Sequence, residues 1–191
     1  TIKPDGSTVL KLYYKKNVTV TVSGTDTAGV VYDGNTHYAE GKAEADFEKY
    51  DISKAAFGES SVIPAVEGKN AGTYTSELKA EDCVNNDSNC EVTFVVKPWS
   101  LNIIPKAITI KPDDKQKVYG NPDPEFSGEI SGIVKGDETG ISVEYSRTDN
   151  SEAVGEYDIT AAISGEAAGN YIAEVAAGTL KINKRQITIT S

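Results

Sequence analysis

The 191-residue chain has no methionine, one histidine, one tryptophan and two cysteines. Basic residues are few beside acidic ones, 19 against 29, leaving a formal net charge of −10. A surface of that sign repels polyanions, so nucleic acid and membrane insertion are not expected among its partners. No apolar run reaches the ~18 residues of a membrane-spanning helix, and no charged-then-apolar leader is seen. The single histidine, His37, stands beside a turn in "DGNTHYAEG" and reads as a surface or packing residue, because a site must assemble several groups. No G-x-S-x-G elbow, H-E-x-x-H pair or glycine-rich phosphate loop occurs. With two cysteines and a distant histidine, a zinc site lacks two soft ligands. The expectation is a non-enzymatic chain with no catalytic residue, cofactor or metal. The missing methionine, the start at "TIKPDG" and the end inside "QITITS" suggest a piece of something longer, with leader and anchor elsewhere.

What is present is β pattern. Hydrophobic residues at 38 % and charged residues at 25 % are an ordinary globular balance, which argues against disorder. "VTVTV" at 18–22 alternates with the two-residue period of a strand, Val18, Val20 and Val22 facing one way. "EVTFVV" (91–96), "ITI" (108–110), "ISVEY" (141–145), "EYDIT" (156–160) and "ITIT" (187–190) read likewise. Turn signals separate them: "DG" at 33–34, "NND" at 85–87, "GNPDP" at 120–124 and "GN" at 169–170. Only 44–56 and 132–138 offer a helical stripe, and each predicts no more than short turns packed on a sheet.

The pattern is written twice. Gly72 and Tyr74 in "AGTY" answer to Gly155 and Tyr157 in "VGEY"; Asn89 answers to Asn170; Leu101 and Ile103 answer to Leu180 and Ile182. "VVYDG" at 30–34 answers to "KVYG" at 117–120. The offset drifts from 87 residues (Tyr32 to Tyr119) to 79 (Leu101 to Leu180), so the second copy has shorter loops. Ordered landmarks at this spacing mean tandem modules. The expected boundaries are a closing strand of a preceding module at 1–16, β module 1 at 17–105, β module 2 at 106–185 and the first strand of a following module at 186–191. Between the copies, "LNIIPKAITI" runs almost unbroken, and Pro105, which cannot donate to a ladder, marks the hinge. With no Gly/Ser linker the modules are expected end to end. Trp99, Leu101, Ile103, Pro105 and Ile108 are the expected seam between them.

"YGNPDPEFSGEISGIVKGD" (119–137), "VGEYDIT" and "GNYIAEVAAGTLKINKR" resemble the MBG domain of bacterial surface proteins, of the type marked by a Tyr-Gly pair. The likeness covers roughly 106–185. Residues 17–105 are similar to a companion repeat of Gram-positive surface proteins, through "VTVTVSG", "YDG", "AGTY", "LKAEDC" and "VTFVV". "DGSTVLKLYYKKN" resembles the closing strand of a mucin-binding-type or Listeria-type repeat. The resemblance implies a large, wall-anchored adhesin or stalk, extracellular, with mostly β modules of β-grasp-like or Ig-like sandwich fold. It implies a monomer whose partners are neighbouring modules of its own chain, with host glycan or protein as a further partner.

Three finer expectations follow. Cys83 and Cys90 in "EDCVNNDSNC" bracket a loop, and in similar repeats these places tend to hold facing aromatics that a disulfide could replace; an exported protein allows one. The alternative is two small buried thiols. The oxygen-rich loops "NNDSN", "KPDD" and "RTDNSE" lack calcium-loop spacing and read as Asx turns, with calcium at a module junction as the alternative. No motif marks a Lys–Asn isopeptide bond. Function then lies among three classes: a spacer holding a distal domain away from the wall, a glycan- or mucin-binding module using Trp99, Tyr13 and Tyr14 as an aromatic shelf, and an accessory module of a surface glycosidase.

Overall fold

The structure, a computed structural model, describes residues 14–190. In the first copy the strands are β1 (Lys16–Gly24), β2 (Thr27–Val31), β3 (His37–Ala39), β4 (Gly41–Ala45), β5 (Ala55–Phe57), β6 (Val66–Gly68), β7 (Gly72–Thr75), β8 (Cys83–Asn85), β9 (Cys90–Val96) and β10 (Ser100–Ile104). The second copy contributes β11 (Lys106–Pro112), β12 (Lys115–Val118), β13 (Gly128–Ser131), β14 (Ser142–Arg147), β15 (Gly155–Ser164), β16 (Tyr171–Val175) and β17 (Thr179–Asn183). Among the described residues the only helical pieces are four three-residue 3-10 turns, including 52–54 and 138–140 near the two expected helical stretches. The chain is mostly β, as its alternation predicts.

The valine row decides β1. Val18, Val20 and Val22 are at most 2 % exposed, while the intervening threonines are half-buried. Their strand is central: antiparallel to β4, with Val20 opposite Ala45, and parallel to β9, with Val20 opposite Phe94. β11 repeats the arrangement. Ile108 and Ile110 are buried, and the strand lies antiparallel to β13 and parallel to β16. A second sheet in each copy continues the correspondence, in the orders β2-β10-β7 and β12-β17-β15-β14. Leu101 and Ile103 on β10 match Leu180 and Ile182 on β17, all at most 1 % exposed. Full burial of each such side chain stabilises by about 1.5–3 kcal/mol.

The copies also share two local devices. Gly34 and Gly120 both take left-handed backbone, with φ of 81° and 83°, which explains why the "YDG" and "YG" landmarks carry glycine. Asp26 accepts from the Ser100 amide and hydroxyl at 2.8 and 2.9 Å; Asp114 accepts from the Thr179 amide and hydroxyl at the same two distances. Each carboxylate pins the start of the final strand of its copy.

The chain divides into two compact units. One holds the described chain up to Ala28, His37–Glu67 and Thr73–Leu101; the other holds Gly29–Thr36, Gly68–Gly72 and the chain from Asn102 onward. Two segments of the first copy's sequence thus belong to the second unit, where the sequence suggested a single cut after Pro105. Pro105 is the one-residue break between β10 and β11. Of the segment 1–16, only 14–16 lie within the described residues. Residues 184–190, which include most of the expected next strand, carry no strand, and Ile187 and Ile189 are 80 % and 88 % exposed.

Candidate functional site

Trp99 lies in the core of the first unit. Its side chain is 1 % exposed, and its indole Nε1 donates to the Ala39 carbonyl at 3.0 Å. Gly24 and Gly41 flank the ring so closely that a Cβ on Gly41 would stand 2.7 Å from Trp99 Cζ2. An indole so enclosed offers no sugar-stacking face. Of the other two aromatics of the expected shelf, Tyr14 is 89 % exposed and Tyr13 lies outside the described residues. The remaining seam residues divide: Leu101 belongs to the first unit, and Ile103, Pro105 and Ile108 to the second. Leu101, Ile103 and Ile108 are buried; Pro105 is half-buried.

The second unit gathers a polar cluster that no local motif announces. Asp137 accepts from the Tyr32 hydroxyl at 2.8 Å and the Tyr171 hydroxyl at 2.6 Å through one carboxylate oxygen. The two rings meet edge to face, with centroids 5.5 Å apart. Burial, then the Asp137 carboxylate, pushes both hydroxyls up to about 12. Asn170 Oδ1 accepts from the Ala71 amide at 2.8 Å. These bonds explain why 29–36 and 68–72 sort with the second unit. They also satisfy the polar groups from within, so the cluster clasps these segments to the rest of the unit.

A second network surrounds Lys117. Its ammonium donates to Asp123 and Glu152, each at 2.6 Å, with the side chain 3 % exposed. Arg147 Nε reaches Asp123 at 2.9 Å, and its Nη2 reaches Glu152 at 2.5 Å. Hydrogen bonds donated to the two carboxylates hold the Lys117 ammonium above its ordinary value, and Lys117 with Arg147 holds Glu152 below the usual carboxylate range. Two cations alternate with two anions, tying β12 to β14 and to the loops carrying Asp123 and Glu152.

Residues 108–181 match the family model of the MBG domain, YGX type. The second copy contains the expected MBG module. No curated protein and no solved structure matches the chain. In the MBG module the Tyr-Gly pair is Tyr119-Gly120, placed just after β12, and the Tyr119 amide donates to the Asn183 carbonyl at the end of β17. The Lys117 network and Asp114 are likewise inside the matched span.

The oxygen-rich loops engage their own side chains. Asn85 and Asp87 accept from the amides of Asp87 and Asn89, and Tyr50 donates to Asn85. In the MBG module Asp113 accepts from Ser127, and Asp149 accepts from the Ser151 amide. The bonds at Asn85, Asp87 and Asp149 are the Asx turns their composition predicts, whereas Asp113 and Asp114 of the "KPDD" loop hold distant partners instead. His37 sits half-buried on β3. The expected bridge between Cys83 and Cys90 is not made: both thiols are free. Cys83 opens β8, which pairs with β5, and its Sγ donates to the Lys79 carbonyl at 3.5 Å. Cys90 opens β9, which pairs with β1. The two residues therefore begin strands of different sheets.

Proposed function

We propose that the chain is a non-catalytic, extracellular spacer from a bacterial surface adhesin or stalk protein, monomeric and joined to neighbouring modules of its own chain. The MBG match supports a surface-protein module. The spacer role rests on one observation: in the MBG module the entering strands run parallel to the leaving ones. β11 pairs with β16 and β12 with β17, both in parallel register. Tension entering at β11 and leaving at β17 slides parallel strands past each other. The hydrogen bonds of a ladder then share the load, whereas a hairpin pulled open at its free end breaks them one at a time. β1 and β9 repeat the parallel arrangement in the first copy.

Single-molecule pulling on the full chain tests the reading. Handles at the two ends should unfold the MBG module at a clearly higher force than handles at Ser142 and Ser164. That pair forms the open end of the antiparallel β14–β15 hairpin. An end-to-end unfolding force equal to or below the hairpin force would remove the support for a spacer.

A further inference from the structure

The first unit carries a groove of about 780 Å³ whose walls have opposed character. Val62, 70 % exposed, with half-buried Ile63 and Leu78 gives it an apolar lining over the buried Phe57. Around it stand Glu40, Glu59, Glu77 and Asp82, all on the exposed surface. Asp82 caps the Lys79 amide, and the nearby Lys79 ammonium pairs with Glu81. No hydrogen bond or ion pair occupies the carboxylates of Glu40, Glu59 and Glu77 among the described residues. The groove continues into a neighbouring hollow of about 580 Å³, sharing Pro64, Ala65, Glu77 and Leu78 with it. That hollow is lined by residues of β6 and β7. Among the described residues β6 pairs only with β3, and β7 is the last strand of its sheet, so each has an edge without a strand partner there.

We propose that this groove docks an extended, cationic peptide, with an aliphatic side chain on the apolar lining, flanking lysines or arginines at the free glutamates, and its backbone along the open edge of β7. Each feature selects one property of the occupant. Unpaired strand edges accept an extended backbone, as in β-strand addition. An exposed valine beside a half-buried isoleucine and leucine favours an apolar side chain. Uncompensated carboxylates at the rim favour positive charge and speed encounter with it. An acidic or neutral peptide satisfies only the first two.

Three synthetic peptides added to the intact chain decide the matter: alternating Lys-Leu, alternating Glu-Leu and alternating Lys-Gly. Amide chemical shifts follow binding. The Lys-Leu peptide should bind, weaken with salt, shift the amides of 57–66 and 73–78, and slow hydrogen exchange at Thr73 or Thr75. The other two should bind far more weakly. The double variant Glu59→Gln/Glu77→Gln, on exposed positions that leave the core intact, should weaken Lys-Leu binding about fivefold, the scale of two exposed charge pairs. Equal binding of Lys-Gly would show that the apolar lining is unused. Shifts scattered over the acidic surface would show non-specific attraction. Either result overturns the proposal, as does an unchanged affinity in the double variant.

Discussion

The enclosure of Trp99 by two glycines makes a discriminating prediction. A Cβ on Gly24 would lie 2.5 Å from Trp99 Cδ1 and 2.7 Å from the Glu40 carbonyl. A Cβ on Gly41 would lie 2.6 Å from Ile63 Cγ2 and 2.7 Å from Trp99 Cζ2. The two positions therefore press on different ends of the indole: Gly24 on the root, Gly41 on the outer benzene ring. Overpacking of a filled core costs about 1–3 kcal/mol, so each Gly→Ala should destabilise the first unit by that much. Trp99→Phe keeps the ring root and deletes the outer atoms. It also orphans the Ala39 carbonyl, which by itself costs about 1–3 kcal/mol. In the Trp99→Phe background Gly41→Ala should thus be milder by at least ~1 kcal/mol, while Gly24→Ala keeps its full effect. Urea unfolding followed by far-ultraviolet circular dichroism reads both cycles, since fluorescence is lost with the only tryptophan. Coupling below about 0.5 kcal/mol at Gly41, or equal coupling at both glycines, would refute this placement of the indole.

The second unit should weaken in alkali. Tyr32 and Tyr171 hold their protons up to about 12 when folded, against an ordinary value of 10.0, so an unfolded chain loses them first. The stability they contribute is complete below pH 10 and falls between about pH 10 and 12; urea midpoints should drop over that window and drop less in Tyr32→Phe/Tyr171→Phe. An unchanged slope in that double variant would count against the clasp. Burial raises both thiols above their ordinary value, so Cys83 and Cys90 should react slowly with iodoacetamide in the native protein and fully in denaturant. Intact mass should not change with reductant, and a gain of about 2 Da on reduction would instead reveal the bridge between them.

How much of this was legible depends on the range over which each residue acts. The valine row of β1 and the Leu-x-Ile pairs of β10 and β17 announce themselves, because alternation is local and burial follows it directly. The repeat was legible through residues whose roles are backbone-deep, such as Gly34 and Gly120, where left-handed φ excludes most other side chains. Asp26 and Asp114 are equally repeated, yet nothing local marks them: their partners are 74 and 65 residues away. Tyr32 is further still, 105 residues from Asp137, and its "YDG" setting reads only as a turn.

Trp99 shows a different limit. Beside Pro98 and before the alternating stretch "SLNII", a tryptophan reads as the cover of a junction. What places it in the core is a pair of absent side chains, at Gly24 and Gly41, which clear a slot the width of an indole. Glycine in a strand pattern signals a bulge or a close approach without saying what approaches. The same holds for the groove. Its acidic rim comes from three separate stretches of chain, at 40, 59 and 77–82, each unremarkable in a sequence with 29 carboxylates. Only the fold sets those charges around one apolar surface, so the features that bear most on partner choice in the first unit are those with the weakest local signature.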